Sequence, residues 1–193
     1  MVEPITCLTA VRELIERTIE LSRCYTIWWE LVNQTNFGRY ETSIRNHEDY
    51  FAAITHALFQ NVAVISYQLF ERRSDTKSIF SLIDSMGDSN PDLAKALTAK
   101  IDAKKPHLGK LFALRNKVYA HRSKFKSPEE TFAEIGLTSD EMNAVILFVR
   151  NLIISLAEAV GERQSAELEE ELELRITYSR EDTQRIMQAI ENS

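Results

Sequence analysis

Glu48 to Arg72 reads EDYFAAITHALFQNVAVISYQLFER. Phe51, Ile54, Leu58, Val62, Ile65 and Leu69 recur at intervals of three and four, which places them on one stripe of an α-helix. Ala52, Ala53, Ala57 and Ala63 add small surfaces that let other helices approach closely. This is the strongest helical pattern in the chain, and it reads as the central helix of a bundle. His56, Gln60, Asn61 and Gln68 put polar groups within it. They are either solvent-facing or satisfied core amides, or one of them, or Glu71 at the end, orients a charged side chain on a facing helix. Five glycines and four prolines in 193 residues are too few for the turns of an all-β sandwich or barrel, so the class is all-α.

Helices extend on both sides. Pro4 suits a first helical turn, and apolar residues at three and four spacing predict a helix from about Ile5 to Val32. Trp28 and Trp29 cannot both face one seam, so one meets another subunit or both cap the bundle. Residues 33–46, with Gly38, read as a loop. Ser74 or Asp75 caps a short helix from Lys77 to Met86, and Asn90-Pro91 starts a segment to about Ala103. Pro106 restarts a helix running through Leu111-Phe112-Ala113-Leu114-Arg115-Asn116-Lys117-Val118-Tyr119-Ala120-His121-Arg122. Thr138 with Glu141 forms a capping box for a helix from Ser139 to about Val160, closed by Gly161.

The domain reading is a helical domain over 1–162, with its core at about 48–160, followed by an acidic C-terminal extension over 163–193. Within that extension Leu172-Glu173-Leu174-Arg175-Ile176-Thr177-Tyr178 alternates like a strand. A lone strand needs a partner, such as its mate in a dimer; otherwise the segment is helical or disordered. Ser179 caps a last helix from Arg180 to Ile190.

The net charge of −6 is unevenly spread. From Lys100 to Lys126 nine basic residues face the single acid Asp102, a local +8. From Glu158 to Asp182 nine acids face three arginines, a local −6. A phosphate-bearing ligand is drawn to the first region. The second is a candidate internal brake able to cover the first. Cys7 and Cys24 lie on one helix about 25 Å apart at 1.5 Å per residue, too far to bridge, and read as reduced packing residues. No apolar run approaches ~18 residues, so no membrane partner is expected and a cytoplasmic protein is the simplest account.

The basic region contains the chain's most distinctive chemistry. Arg115 and His121 interrupt an otherwise apolar helix, and a regular α-helix would set them about 120° apart around its axis. Two arrangements bring both to one phosphate: the helix loosens near its C-terminus, or a two-fold dimer unites two motifs in one cleft. There is no Gly-rich phosphate loop, no paired-cysteine motif and no His-Glu-x-x-His; His47, His56, His107 and His121 lack metal-ligand spacing.

The pattern of arginine, polar residue, then histidine six positions after the arginine resembles the signature of HEPN domains. The run Leu114-Arg115-Asn116-Lys117-Val118-Tyr119-Ala120-His121-Arg122 is similar to the AbiU-type abortive-infection branch of that superfamily. The likeness covers roughly Glu48 to Val160 and implies an up-and-down helical bundle, a homodimer with motif helices at a shared cleft, and a metal-independent endoribonuclease without cofactor. On that resemblance Arg115, Asn116 and His121 form the catalytic set: His121 is acid/base, Arg115 stabilises the phosphate, and Asn116 positions the histidine or the scissile group. Lys117, Arg122, Lys105 and Lys110 would hold flanking RNA phosphates without reading sequence. A toxin or antiphage effector of this kind implies a cognate antitoxin, inhibitor or trigger. In relatives silenced by a nucleotidyltransferase a tyrosine stands two residues after the histidine; here that position is Ser123, and Tyr119 is not its equivalent, so that control is not carried over. The alternative is a non-catalytic dimeric HEPN-like module that binds RNA or a protein partner.

Overall fold

A computed structural model describes residues 4–73, 75–120 and 133–192. Their helices are α1 (Pro4–Val32), α2 (Gln34–Arg39), α3 (Glu41–Asn46), α4 (Glu48–Leu69), α5 (Ile79–Met86), α6 (Pro91–Leu114), α7 (Ser139–Ala159) and α8 (Ser165–Glu191), with a π-helical segment, Arg115–Ala120, continuing α6. No strand occurs among the described residues. The bundle is all-α.

The central-helix stripe is divided between two clusters. Val62, Ile65 and Leu69 of α4 join Leu14 and Leu21 of α1, Leu97, Ile101, Leu108 and Leu111 of α6, and Val149, Leu152 and Leu156 of α7 in the main core. Phe51 meets Leu31, Tyr40 and Met187 in a second cluster, with Ile54 and Leu58 at its edge. Each such buried aliphatic side chain contributes about 1.5–3 kcal/mol, so the five long helices hold one another. Trp28 packs against Phe59, ring centroids 5.1 Å apart, while Trp29 stays 38% exposed.

The α7 capping box forms reciprocally: the Glu141 N–H donates to Thr138 Oγ1 at 3.2 Å and the Thr138 N–H to Glu141 Oε2 at 3.0 Å. Gly161, at φ +71°, takes the left-handed conformation that stops the helix. α7 is long and apolar enough to cross a membrane by length and composition. Met142, Val145, Val149, Ile153 and Leu156 are nevertheless all buried in the bundle, which makes it a core helix.

Four expectations change. Residues 34–46 form α2 and α3 rather than a loop; Asn33 caps α2 by accepting from the Asn36 N–H at 2.9 Å. Ser78, not Ser74 or Asp75, caps α5, through a reciprocal box with Ser81. Pro106 lies inside α6, which runs unbroken from Pro91. Of the readings open for 172–178 the helical one holds, and that helix runs on through Ser179, which therefore caps no separate last helix: Leu168, Leu172, Ile176, Ser179, Thr183 and Met187 recur at three and four and are the buried face of α8. The apparent alternation came from Leu174 and Tyr178, which point outward at 47% and 52% exposure.

The acidic C-terminal segment is accordingly a packed helix, with Leu168 and Leu172 in the main core. A polar seam fixes it further. Buried Glu30 of α1 accepts from Asn36 Nδ2 at 2.7 Å and Gln184 Nε2 at 2.9 Å, with Arg180 Nε 3.4 Å away. Buried Arg150 of α7 donates to Glu173 of α8. Its acids lie on the face of a helix locked to the bundle, so the segment is not a loose flap.

Candidate functional site

Leu108, Leu111 and Leu114 are fully or nearly fully buried and fix the phase of α6 just before the motif. Leu114 packs with Ala63 of α4, whose small side chain lets the helices come close. At Arg115 the ladder widens into the π-helical turn Arg115–Ala120. Such turns are rare and often mark functional positions. The helix therefore does loosen at the motif arginine. His121 and Arg122 follow directly but lie outside the described residues.

Arg115 is half-buried. Its Nη1 donates to Asn116 Oδ1 at 2.9 Å, and its Cζ lies over the Tyr67 ring, 4.3 Å from the centroid. Tyr67 belongs to α4, so the facing helix does supply a partner to the arginine, through an aromatic ring. Glu71, one of the anticipated partners, lies 4.0 Å from Arg73. Nothing local to Tyr67 in the sequence marks it as that partner, since the contact depends on how α4 faces the motif helix.

The lysines differ. Lys105 and Lys117 are exposed, Lys105 2.9 Å from Asp102 and Lys117 4.0 Å from Glu134. Lys110 is already engaged: its Nζ donates to both Glu141 oxygens, at 2.6 and 2.8 Å, and to the Gly136 carbonyl at 2.9 Å. The Lys110 hydrogen bond, seconded by the Thr138 N–H, holds the Glu141 carboxyl below its ordinary range. His107 contributes its Nε2 4.0 Å from the same carboxylate. These contacts tie α6 to the start of α7 across the segment that carries His121.

The described part of the site is thus a forked cation, braced by an amide and a ring on a widened turn, with two exposed lysines on its helix. A guanidinium in this setting can bind an oxyanion through paired N–H groups. No curated protein and no solved structure matches the chain. The HEPN family model described as AbiU2 matches residues 6–185, from the first turn of α1 into the last turns of α8. With that match over nearly its whole length, on an all-helical bundle that widens at Arg115, the chain belongs to the AbiU2 family of HEPN proteins.

Proposed function

We propose that the protein is a metal-independent endoribonuclease acting in abortive infection. The observation that carries this reading is the setting of Arg115: in a member of this family the motif arginine stands at the helix widening, its guanidinium braced by Asn116 and Tyr67. RNA supplies its own nucleophile. The 2′-oxygen attacks the adjacent phosphorus and gives its proton to a base. The bond from phosphorus to the 5′-oxygen breaks, and that oxygen takes a proton from an acid. The products are a 2′,3′-cyclic phosphate and a 5′-hydroxyl end.

Histidine titrates near neutrality and can serve as base or acid, which is the role given to His121. Arg115 stabilises the charge that builds on the phosphate oxygens, and Asn116, which accepts from the arginine, positions the histidine or the scissile group. A homodimer pairing two motif helices would bring a histidine from each chain to one cleft. Lys105, Lys117 and Arg122 would contact neighbouring phosphates. A growth-arresting activity of this kind, inside a bacterial-type cytoplasm, calls for a cognate antitoxin, inhibitor or trigger.

The test compares wild type with His121→Ala on RNA in EDTA, from about pH 5 to about pH 9, with folding and dimer mass checked on both. Cleavage by wild type alone, leaving cyclic phosphate ends with a near-neutral pH dependence, supports the reading. Silence from both intact dimers favours a binding module instead.

A further inference from the structure

A long side chain leaving a helix where its ladder has just widened has many rotamers open to it. Arg115 is nevertheless held from two directions: Asn116 Oδ1 takes one N–H at 2.9 Å, and the Tyr67 ring lies 4.3 Å from Cζ. The ring is itself fixed. Phe112, one turn before Arg115, meets Tyr67 edge-on with centroids 5.5 Å apart. Phe112 lies 6.2 Å from Phe70, which stacks on Phe148 of α7 at 6.4 Å and an interplanar angle of 8°. An aromatic row thus links the arginine's support to the core helix of the bundle.

We infer that Tyr67 is the positioning residue for Arg115, presenting its guanidinium to an RNA phosphate; the inference rests on Arg115 being the phosphate clamp. The attraction of a cation to a ring face is electrostatic and requires no hydrogen-bond acceptor. Tyr67 can therefore restrain the guanidinium without occupying any of its N–H donors, whereas a carboxylate in its place would take one or two of them. A carboxylate would also neutralise the charge that the phosphate needs. The ring performs this role, so phenylalanine can replace tyrosine, whereas an aliphatic residue of similar bulk cannot.

The experiment measures cleavage of RNA, and affinity for an uncleavable 2′-O-methyl RNA by fluorescence anisotropy, in wild type, Tyr67→Leu, Tyr67→Phe, Arg115→Ala and the Tyr67→Leu/Arg115→Ala double variant. Circular dichroism melting accompanies each, and Tyr67→Met stands in should Tyr67→Leu unfold. Tyr67→Leu should lower kcat about ten-fold with KM changed much less, and Tyr67→Phe should recover most of that loss. In the Arg115→Ala background Tyr67→Leu should cost nothing further, because the group it positions is gone. Wild-type rates and affinity in Tyr67→Leu, or an equal loss with and without Arg115, would overturn the inference. A wild type that binds the uncleavable RNA but cuts none ends the nuclease reading alone; Tyr67 is then judged on binding, where Tyr67→Leu should match Arg115→Ala. A wild type that neither binds nor cuts has no clamp to position, and the inference falls with it.

Discussion

Lys110 on α6 and Glu141 on α7 form a two-point contact, with Nζ 2.6 and 2.8 Å from the two carboxylate oxygens, and the same carboxylate accepts the Thr138 N–H at 3.0 Å. One acid therefore caps its own helix and ties it to the motif helix. Its depressed pKa, caused first by Lys110, sets the sign of the pH effect. A carboxyl lowered in the folded state adds stability above the unfolded value of about 4.3, lost as pH falls through the folded value. Lys110→Met should melt below wild type at pH 7, and the gap should narrow as pH falls below about 4.3. Thermal melts at both pH values check this; a pH-independent gap would point to lost packing instead. Thr138→Ala, which removes only the cap, should cost about 1 kcal/mol.

The same contact sets Lys110 apart from the other two lysines. Lys105 and Lys117 are exposed, whereas Lys110 is committed to α7. If RNA lies along this helix, Lys105→Ala and Lys117→Ala should each weaken binding a few-fold and flatten the salt dependence by about 0.7 in slope, one phosphate's worth for a single strand. Lys110→Met should leave that slope unchanged. Binding titrations from about 50 to about 200 mM salt measure it. A slope change at Lys110 equal to that at Lys117 would show that the contact with Glu141 opens to RNA.

Signals confined to one helix were legible in the sequence. Thr138 with Glu141 placed the start of α7 at Ser139, and Asn90-Pro91 placed the start of α6, because a cap and its helix lie within a few residues of each other. The errors arose where tertiary packing decides. Pro106 is carried within α6 because Ile101 on one side and Leu108 on the other both anchor in the core. In the last helix, outward-facing Leu174 and Tyr178 mimicked a strand period that only the buried Leu172–Ile176 face could refute. At the candidate site, Arg115 and Asn116 were legible as polar interruptions of an apolar run. Tyr67 was not, because its role depends on how α4 faces α6. Lys110 was counted as free charge for a related reason: Glu141 is 31 residues away in the chain.

Tyr25 offers a test of the packing of α1 against α7. Burial, then the nearby negative charge of Asp140, pushes its phenol from 10 up to about 12. Between those values the unfolded chain has released the proton and the folded one has not. The contribution is therefore complete below pH 10 and lost as pH rises toward about 12. Ultraviolet titration should show one tyrosine ionising after the others, absent in Tyr25→Phe, and that variant should lose less stability between these pH values. A late phase that persists in Tyr25→Phe would assign it to another tyrosine.

The opposed charges of the two regions suggest a removable brake, but the packing of α8 predicts a different result. Leu168, Leu172, Ile176 and Met187 are buried between α8 and the bundle, and at about 1.5–3 kcal/mol each their sum is comparable to the whole net stability of a domain, about 5–15 kcal/mol. Removing residues 163–193 would also strip Glu30 and Arg150 of their α8 partners. The truncated chain should lose cooperative unfolding in urea rather than gain RNA cleavage. Leu168→Ala, which keeps every charge in place, should by itself cost about 2–5 kcal/mol. A truncated chain that unfolds cooperatively and cuts RNA faster than the full chain would restore the brake. If α8 were only a screen of negative charge, replacing exposed Glu169 and Glu170 with glutamine should raise RNA affinity as much as truncation does. With the helix serving as a structural wall, the glutamine variant should instead melt close to wild type and bind RNA only a few-fold tighter, through the weaker long-range field.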